Sequence, residues 1–93
     1  MIVLFGSKKT EMIWNGVRVK SFSNEMQERA RRKLRMLNNS QNIADLKIPV
    51  SNKLEKLKGK LKDYYSIRIN DQWRLIFIWN SGNATNVRII DYH

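Results

Sequence analysis

The 93 residues carry 18 Lys+Arg against 8 Asp+Glu, a formal charge of +10 that favours a polyanionic partner, nucleic acid or an acidic protein. Cysteine is absent, which excludes disulfides, thiolate metal sites and a cysteine nucleophile and suits a reducing cytosol. A chain of this length builds one modest core, burying roughly 60% of its unfolded surface, and residues 1–93 read as a single domain.

Residues 2–5 form a short apolar run closed by Gly6-Ser7, the pattern of a first strand and a turn. The run is far too short for a signal-peptide core or a membrane span, so a soluble cytoplasmic protein is expected. Residues 8–14 read as a short helix stopped by Asn15-Gly16, and residues 17–22 fit no single element. From Asn24, Met26, Ala30, Leu34 and Leu37 recur at helical spacing and mark one buried face. Arg31, Arg32 and Arg35 are expected on the opposite, solvated face, with Glu25–Arg29 and Glu28–Arg32 as acid-before-base pairs. Asn38-Asn39-Ser40 ends that helix, residues 43–46 allow one further turn, and Pro49 starts a loop through Ser51-Asn52.

Beyond the loop the pattern becomes sheet. Tyr65, Ile67 and Ile69 alternate with Ser66, Arg68 and Asn70, and Asn70-Asp71-Gln72 supplies a turn. Trp73, Leu75, Phe77 and Trp79 then alternate with Arg74, Ile76 and Ile78, and after Asn80-Ser81-Gly82-Asn83 a third strand carries Val87, Ile89 and Asp91. The order β-α-α-β-β-β implies an α+β domain, with two N-terminal helices on one face of a mainly antiparallel sheet and the other face open to a ligand.

Three groups of residues can carry chemistry. Lys53, Lys56, Lys58, Lys60 and Lys62 form a dense cationic run, either a nucleic-acid contact or a solubilising loop and strand edge. Arg68 and Arg74 stand on adjacent strands, where a guanidinium can grip phosphate bidentately or pair with Asp63 or Asp71. Asp91, Tyr92 and His93 bring together a carboxylate, a phenol and the sole imidazole, the alternative being a frayed polar end. Metal-free RNA cleavage needs a base for the ribose 2′-OH, cations for the phosphorane and an acid for the 5′-oxygen. These residue types can fill those posts, whereas eight scattered acids and one histidine give no metal-ligand spacing, and no metal or other cofactor is expected.

The run Asn52-Lys53-Leu54-Glu55-Lys56-Leu57-Lys58-Gly59, the run from Tyr65 to Arg74 and the ending Asp91-Tyr92-His93 resemble HigB-type toxins of the RelE/ParE superfamily. Residues 28–34 with Asp45-Leu46 extend the likeness over nearly the whole chain; the first twenty residues match least. The resemblance implies a RelE-like fold and a ribosome-dependent endoribonuclease that cuts messenger RNA in the ribosomal A site and inhibits translation. It also implies a HigA-type helix-turn-helix antitoxin, through which alone the protein would meet operator DNA.

Carried over from that motif, Lys58, Arg74, Asp91, Tyr92 and His93 are active-site candidates. Glu55 stands where one pattern of the family has histidine, so the base is Glu55 or Asp91, with His93 as acid. Arg74 and Lys58 would stabilise the phosphate and Tyr92 would stack on or orient a base; Lys53, Lys56, Lys60, Lys62 and Arg68 are RNA-binding candidates. Two rival readings stand beside this one: a non-catalytic ParE-like toxin that binds DNA gyrase, and a basic RNA- or ribosome-binding module stacking bases on Trp73, Trp79, Tyr64, Tyr65 and Tyr92. The Asp-Tyr-His ending argues against the first, and the alternation that assigns most of those aromatics to the core argues against the second.

Overall fold

A computed structural model describes residues 1–92. Helix α1 spans Lys8–Trp14 and α2 spans Asn24–Asn39. A sheet follows, of strands β1 (Glu55–Lys56), β2 (Tyr65–Arg68), β3 (Trp73–Asn80) and β4 (Asn83–Asp91), in the spatial order β1-β2-β3-β4 and antiparallel at every pairing.

The helix boundaries follow from local chemistry. Ser7 Oγ accepts the Thr10 N–H at the start of α1, and Ser23 Oγ accepts the Met26 N–H at the start of α2, each satisfying a donor the first turn leaves unpaired. At the end of α1, Gly16 adopts φ +80° and the chain closes with Val17 N–H to Met12 O at 2.8 Å and Gly16 N–H to Ile13 O at 3.1 Å. Those two bonds and the left-handed glycine form a Schellman stop.

The expected face of α2 is buried: Met26, Ala30, Leu34 and Leu37 pack with Ile67, Ile69, Leu75 and Phe77 of the sheet segment. Each large side chain so buried contributes about 1.5–3 kcal/mol. The segment 17–22, which the sequence leaves ambiguous, is held by a buried polar residue of α2. Gln27 accepts from Val19 N at 2.8 Å and donates to Val19 O at 3.0 Å and Phe22 O at 3.1 Å.

Three expectations are corrected. Residues 2–5 make two isolated parallel bridges to β4, Ile2 to Ala84 and Phe5 to Val87, rather than a strand. The ladder breaks because β4 bulges there: the register jumps between Ile76–Arg88 and Ile78–Thr85, and Asn86 takes φ +52°. Not everything beyond the Pro49 loop is sheet: Glu55–Lys56 is an edge strand paired with β2, but Gly59–Leu61 is a 3-10 turn. Arg31 does not project into solvent; its Nε donates to Ile13 O at 2.9 Å and ties α2 to the C-terminal carbonyls of α1.

Gly6 lies against the bulge. A Cβ there would stand 2.8 Å from Asn86 O and 3.0 Å from Asn86 C, both backbone atoms that cannot rotate away. Gly6→Ala is expected to cost about 1–3 kcal/mol and to lower the melting temperature by about 4–8 °C per kcal/mol for a domain of this size. A circular-dichroism melt checks this, and an unshifted midpoint would mean the segment does not dock as described.

Candidate active site on the outer face of the sheet

Strand register sorts the residues by face. Phe77, Leu75 and Ile67 look toward the helices, while Glu55 opposite Ser66, Arg68 opposite Arg74, and Ile76 opposite Arg88 share the face the helices do not cover.

Arg74 is the centre of that face and is only 6% exposed. A buried guanidinium is costly unless its donors are used, and here they are: Nε donates to Ser66 Oγ, and Nη2 donates to Lys53 O at 2.6 Å. Glu55 Oε1 lies 3.8 Å from the same Nη2. The Tyr92 ring covers the guanidinium, 5.0 Å from Cζ, and its hydroxyl donates to Glu55 Oε1 at 3.0 Å. Tyr92 is itself placed by its backbone N–H, which donates to Gln72 O at 2.7 Å and carries the β4 pairing past Asp91. The hydrogen bond to Glu55, and then the Glu55 charge, hold the Tyr92 phenol above its ordinary pKa, against the opposing charge of Arg74.

Glu55, Arg74 and Tyr92 therefore converge. Asp91 does not join them: it pairs with Trp73, on the helix side of the sheet by alternation, and its Oδ2 accepts from Gln72 Nε2 at 3.2 Å. His93 lies outside the described residues. Lys58 is exposed just before the Gly59–Leu61 turn. Lys53 contributes its carbonyl to Arg74, from a left-handed backbone of φ +47°, while its side chain is exposed. Lys56 is turned to the other side of β1 from Glu55, its Nζ 5.3 Å from the Tyr65 ring centroid and donating to Lys62 O; Lys60 and Lys62 are exposed. Arg68 turns away from Arg74, ion-pairs with Asp71 and lines a cleft beside α2.

Two contributors were not foreseen. Ser66, fully buried, is the side chain that fixes Arg74; its place opposite Ile76, two positions from the Arg68–Arg74 pair and so on the same face, was implicit in the alternation. Arg88 lies over the Tyr64 ring at 5.6 Å, and its buried Nε has no hydrogen-bond partner among the described residues. Among the described residues no three His, Asp or Glu side chains gather as a metal site, and no helix is long and apolar enough to cross a membrane.

Fold and outer-face site together define a class. The structure is similar over its whole length to the YoeB–YefM complex of Staphylococcus aureus, at a TM-score of 0.64 and 20% identity with 98% of that chain covered. It is also similar to a YoeB/ParE toxin from Agrobacterium tumefaciens, at a TM-score of 0.54 and 21% identity with 96% of that chain covered. At these identities the likenesses establish the fold alone. The chain belongs to the HigB-like toxin family, the RelE-like toxins of the type II toxin–antitoxin system HigB, whose pattern it matches over residues 9–93. Toxin HigB-1 of Vibrio cholerae is 51% identical over 55 residues, 59% of this chain and 58% of that protein. An uncharacterized protein of Haemophilus influenzae is 45% identical over 56 residues, 60% of this chain and 55% of that protein. The matched stretches thus span little more than half the length of those relatives.

Proposed function

We propose that this protein is the toxin of a type II toxin–antitoxin pair and acts in the cytoplasm as an endoribonuclease on messenger RNA in the ribosomal A site. What supports this most directly is Arg74, anchored by Ser66 and the Lys53 carbonyl on the uncovered face with the Glu55 carboxylate 3.8 Å away. A positioned cation beside a carboxylate is what attack by a ribose 2′-OH requires.

In this reading Glu55 takes the 2′-OH proton, the 2′-oxygen attacks phosphorus, and the 5′-oxygen leaves with a proton from His93. The products are a 2′,3′-cyclic phosphate and a 5′-hydroxyl end. Arg74, with Lys58, balances the charge of the phosphorane; Tyr92 stacks on or orients a base; Lys53, Lys56, Lys60 and Lys62 hold the RNA backbone. The geometry favours Glu55 over Asp91 as base, because only Glu55 shares the face of Arg74. Its partner would be a HigA-type helix-turn-helix antitoxin that links it to operator DNA; the solved YoeB relative in complex with YefM supports an antitoxin of some kind.

The test is in-vitro translation of a defined messenger RNA, with new 5′ ends mapped by primer extension for the wild type and His93→Ala. Cuts within the reading frame that disappear in the variant are expected. Translation arrest without cuts would replace this reading with a binding toxin, and no effect on translation would move the target to DNA gyrase.

A further inference from the structure

Helix α2 carries Arg29, Arg32, Lys33 and Met36 at positions i, i+3, i+4 and i+7, which places them along one side of the helix. That side does not face solvent alone. With Arg68, and with Met36 and Ile69 toward the floor, it lines a cleft of about 280 Å³ between α2 and the end of β2. A water occupies about 30 Å³, so the cleft has room for a phosphate group with part of its sugar.

The charges in this cleft are not balanced. Arg29 pairs with Glu25 and Arg68 with Asp71, but both acids are largely exposed, at 79% and 100%, where ion pairs are weak. Among the described residues neither Arg32 nor Lys33 has an ion pair. The Lys33 ammonium instead donates to Asn52 Oδ1, and Asn52, fully buried, is held by Leu46 O at 3.1 Å, so Lys33 is fixed at the rim and not swinging in solvent. Burial, then the charges of Arg68 and Arg29, push the Lys33 pKa down, as expected where like charges are gathered without a counterion.

We infer that this cleft is a second anion site, which takes a backbone phosphate of an RNA strand away from the reacting centre. Two observations favour RNA over an acidic peptide. Arg68 is the direct cross-strand partner of Arg74, so the cleft begins where the outer-face site ends, about 5 Å of backbone away. The floor offers only Met36 and the 2%-exposed Ile69, too little apolar surface to seat the side-chain anchors a bound peptide uses. The inference extends the reading above to a second contact on the same strand, and it is testable without cleavage.

The probe is a fluorescent 2′-O-methyl oligoribonucleotide, which 2′-OH attack cannot cut, titrated with the full chain over a series of salt concentrations. Each single-strand phosphate contact contributes about 0.7 to the slope of log K against log salt. Arg29→Gln/Arg32→Gln is expected to reduce the slope by about 1.4, and Arg32→Gln alone by about half as much, with the circular-dichroism melt unchanged. The control Lys8→Gln/Lys20→Gln removes the same charge from exposed positions elsewhere and should leave the slope nearly as it was. Equal losses in variant and control, or an unchanged slope in the cleft variant, would overturn the site. So would polyglutamate binding that depends on Arg29 and Arg32 while RNA binding does not. A reduced slope in a protein that cuts no messenger RNA would uphold the cleft and sink only the cleavage reading.

Discussion

Glu55→Gln is expected to slow messenger RNA cleavage by about 10²–10⁴-fold, the usual contribution of a positioned general base, while the protein still folds. The glutamine keeps size and a hydrogen-bonding oxygen for the Tyr92 hydroxyl but cannot take the 2′-OH proton. Glu55 is exposed and its strand pairing uses only backbone, so the fold does not depend on its charge. Quenched-flow or primer-extension rates give the activity, and a second readout reports on the site itself. Tyr92 loses its proton later than an ordinary tyrosine because Glu55 accepts its hydrogen bond and repels the phenolate. A folded-state value above the unfolded one means that the contact stabilises at all pH below the ordinary phenol range and is lost as pH rises through the folded value. In Glu55→Gln the ultraviolet absorbance of tyrosinate should therefore appear at lower pH. An altered titration with an undiminished rate would hand the base role to Asp91.

Arg74→Lys is expected to lower the rate by about 10²–10³-fold, the size of effect seen when one preorganised donor to a developing charge is removed. The positive charge survives, but a single ammonium cannot satisfy Ser66 Oγ and the Lys53 carbonyl while also facing a phosphate. Substrate binding, set largely by the other cations, should change much less, so the loss should fall in kcat and not in KM. Equal rates for lysine and arginine would mean that charge alone matters and that the anchoring is incidental. The variant also leaves a buried acceptor short of its donor, which costs about 1–3 kcal/mol and is visible in a denaturant melt.

The fold was legible wherever a period was strong. Met26, Ala30, Leu34 and Leu37 define α2, and alternation through residues 65–91 defines β2, β3 and β4. It was illegible where pairing depends on something distant. β1 is two charged residues with no alternation, a strand only because β2 supplies its partner. Residues 17–22 take their shape from the amide of Gln27, and the N-terminal run loses its strand character to a bulge at Asn86. In the site, the arginine on the sheet and the terminal carboxylate and phenol were visible as chemistry, but their convergence needed register. Alternation alone separates Asp91 from Tyr92; only the pairing of Trp73 with Asp91 tells which of them faces Arg74. Ser66 was overlooked because a small polar residue in an alternating strand reads as solvent-facing, whereas this one is sealed beneath a guanidinium.

Tyr92 follows β4, at one side of the four-stranded sheet, and Glu55 belongs to β1, at the other, so the hydroxyl-to-carboxylate bond joins residues of its two edges over the outer face. Glu55, Arg74 and Tyr92 are thus assembled across the sheet and not along a strand. Integrity of the centre is a collective property: it exists only while both margins of the sheet are in register. The thinner margin is two exposed residues, the kind of segment expected to open locally at lower free energy than the core unfolds. The carboxylate end of the cluster thus rests on the shortest and most exposed strand, whereas Arg74 and Ser66 are buried in the two strands beside it.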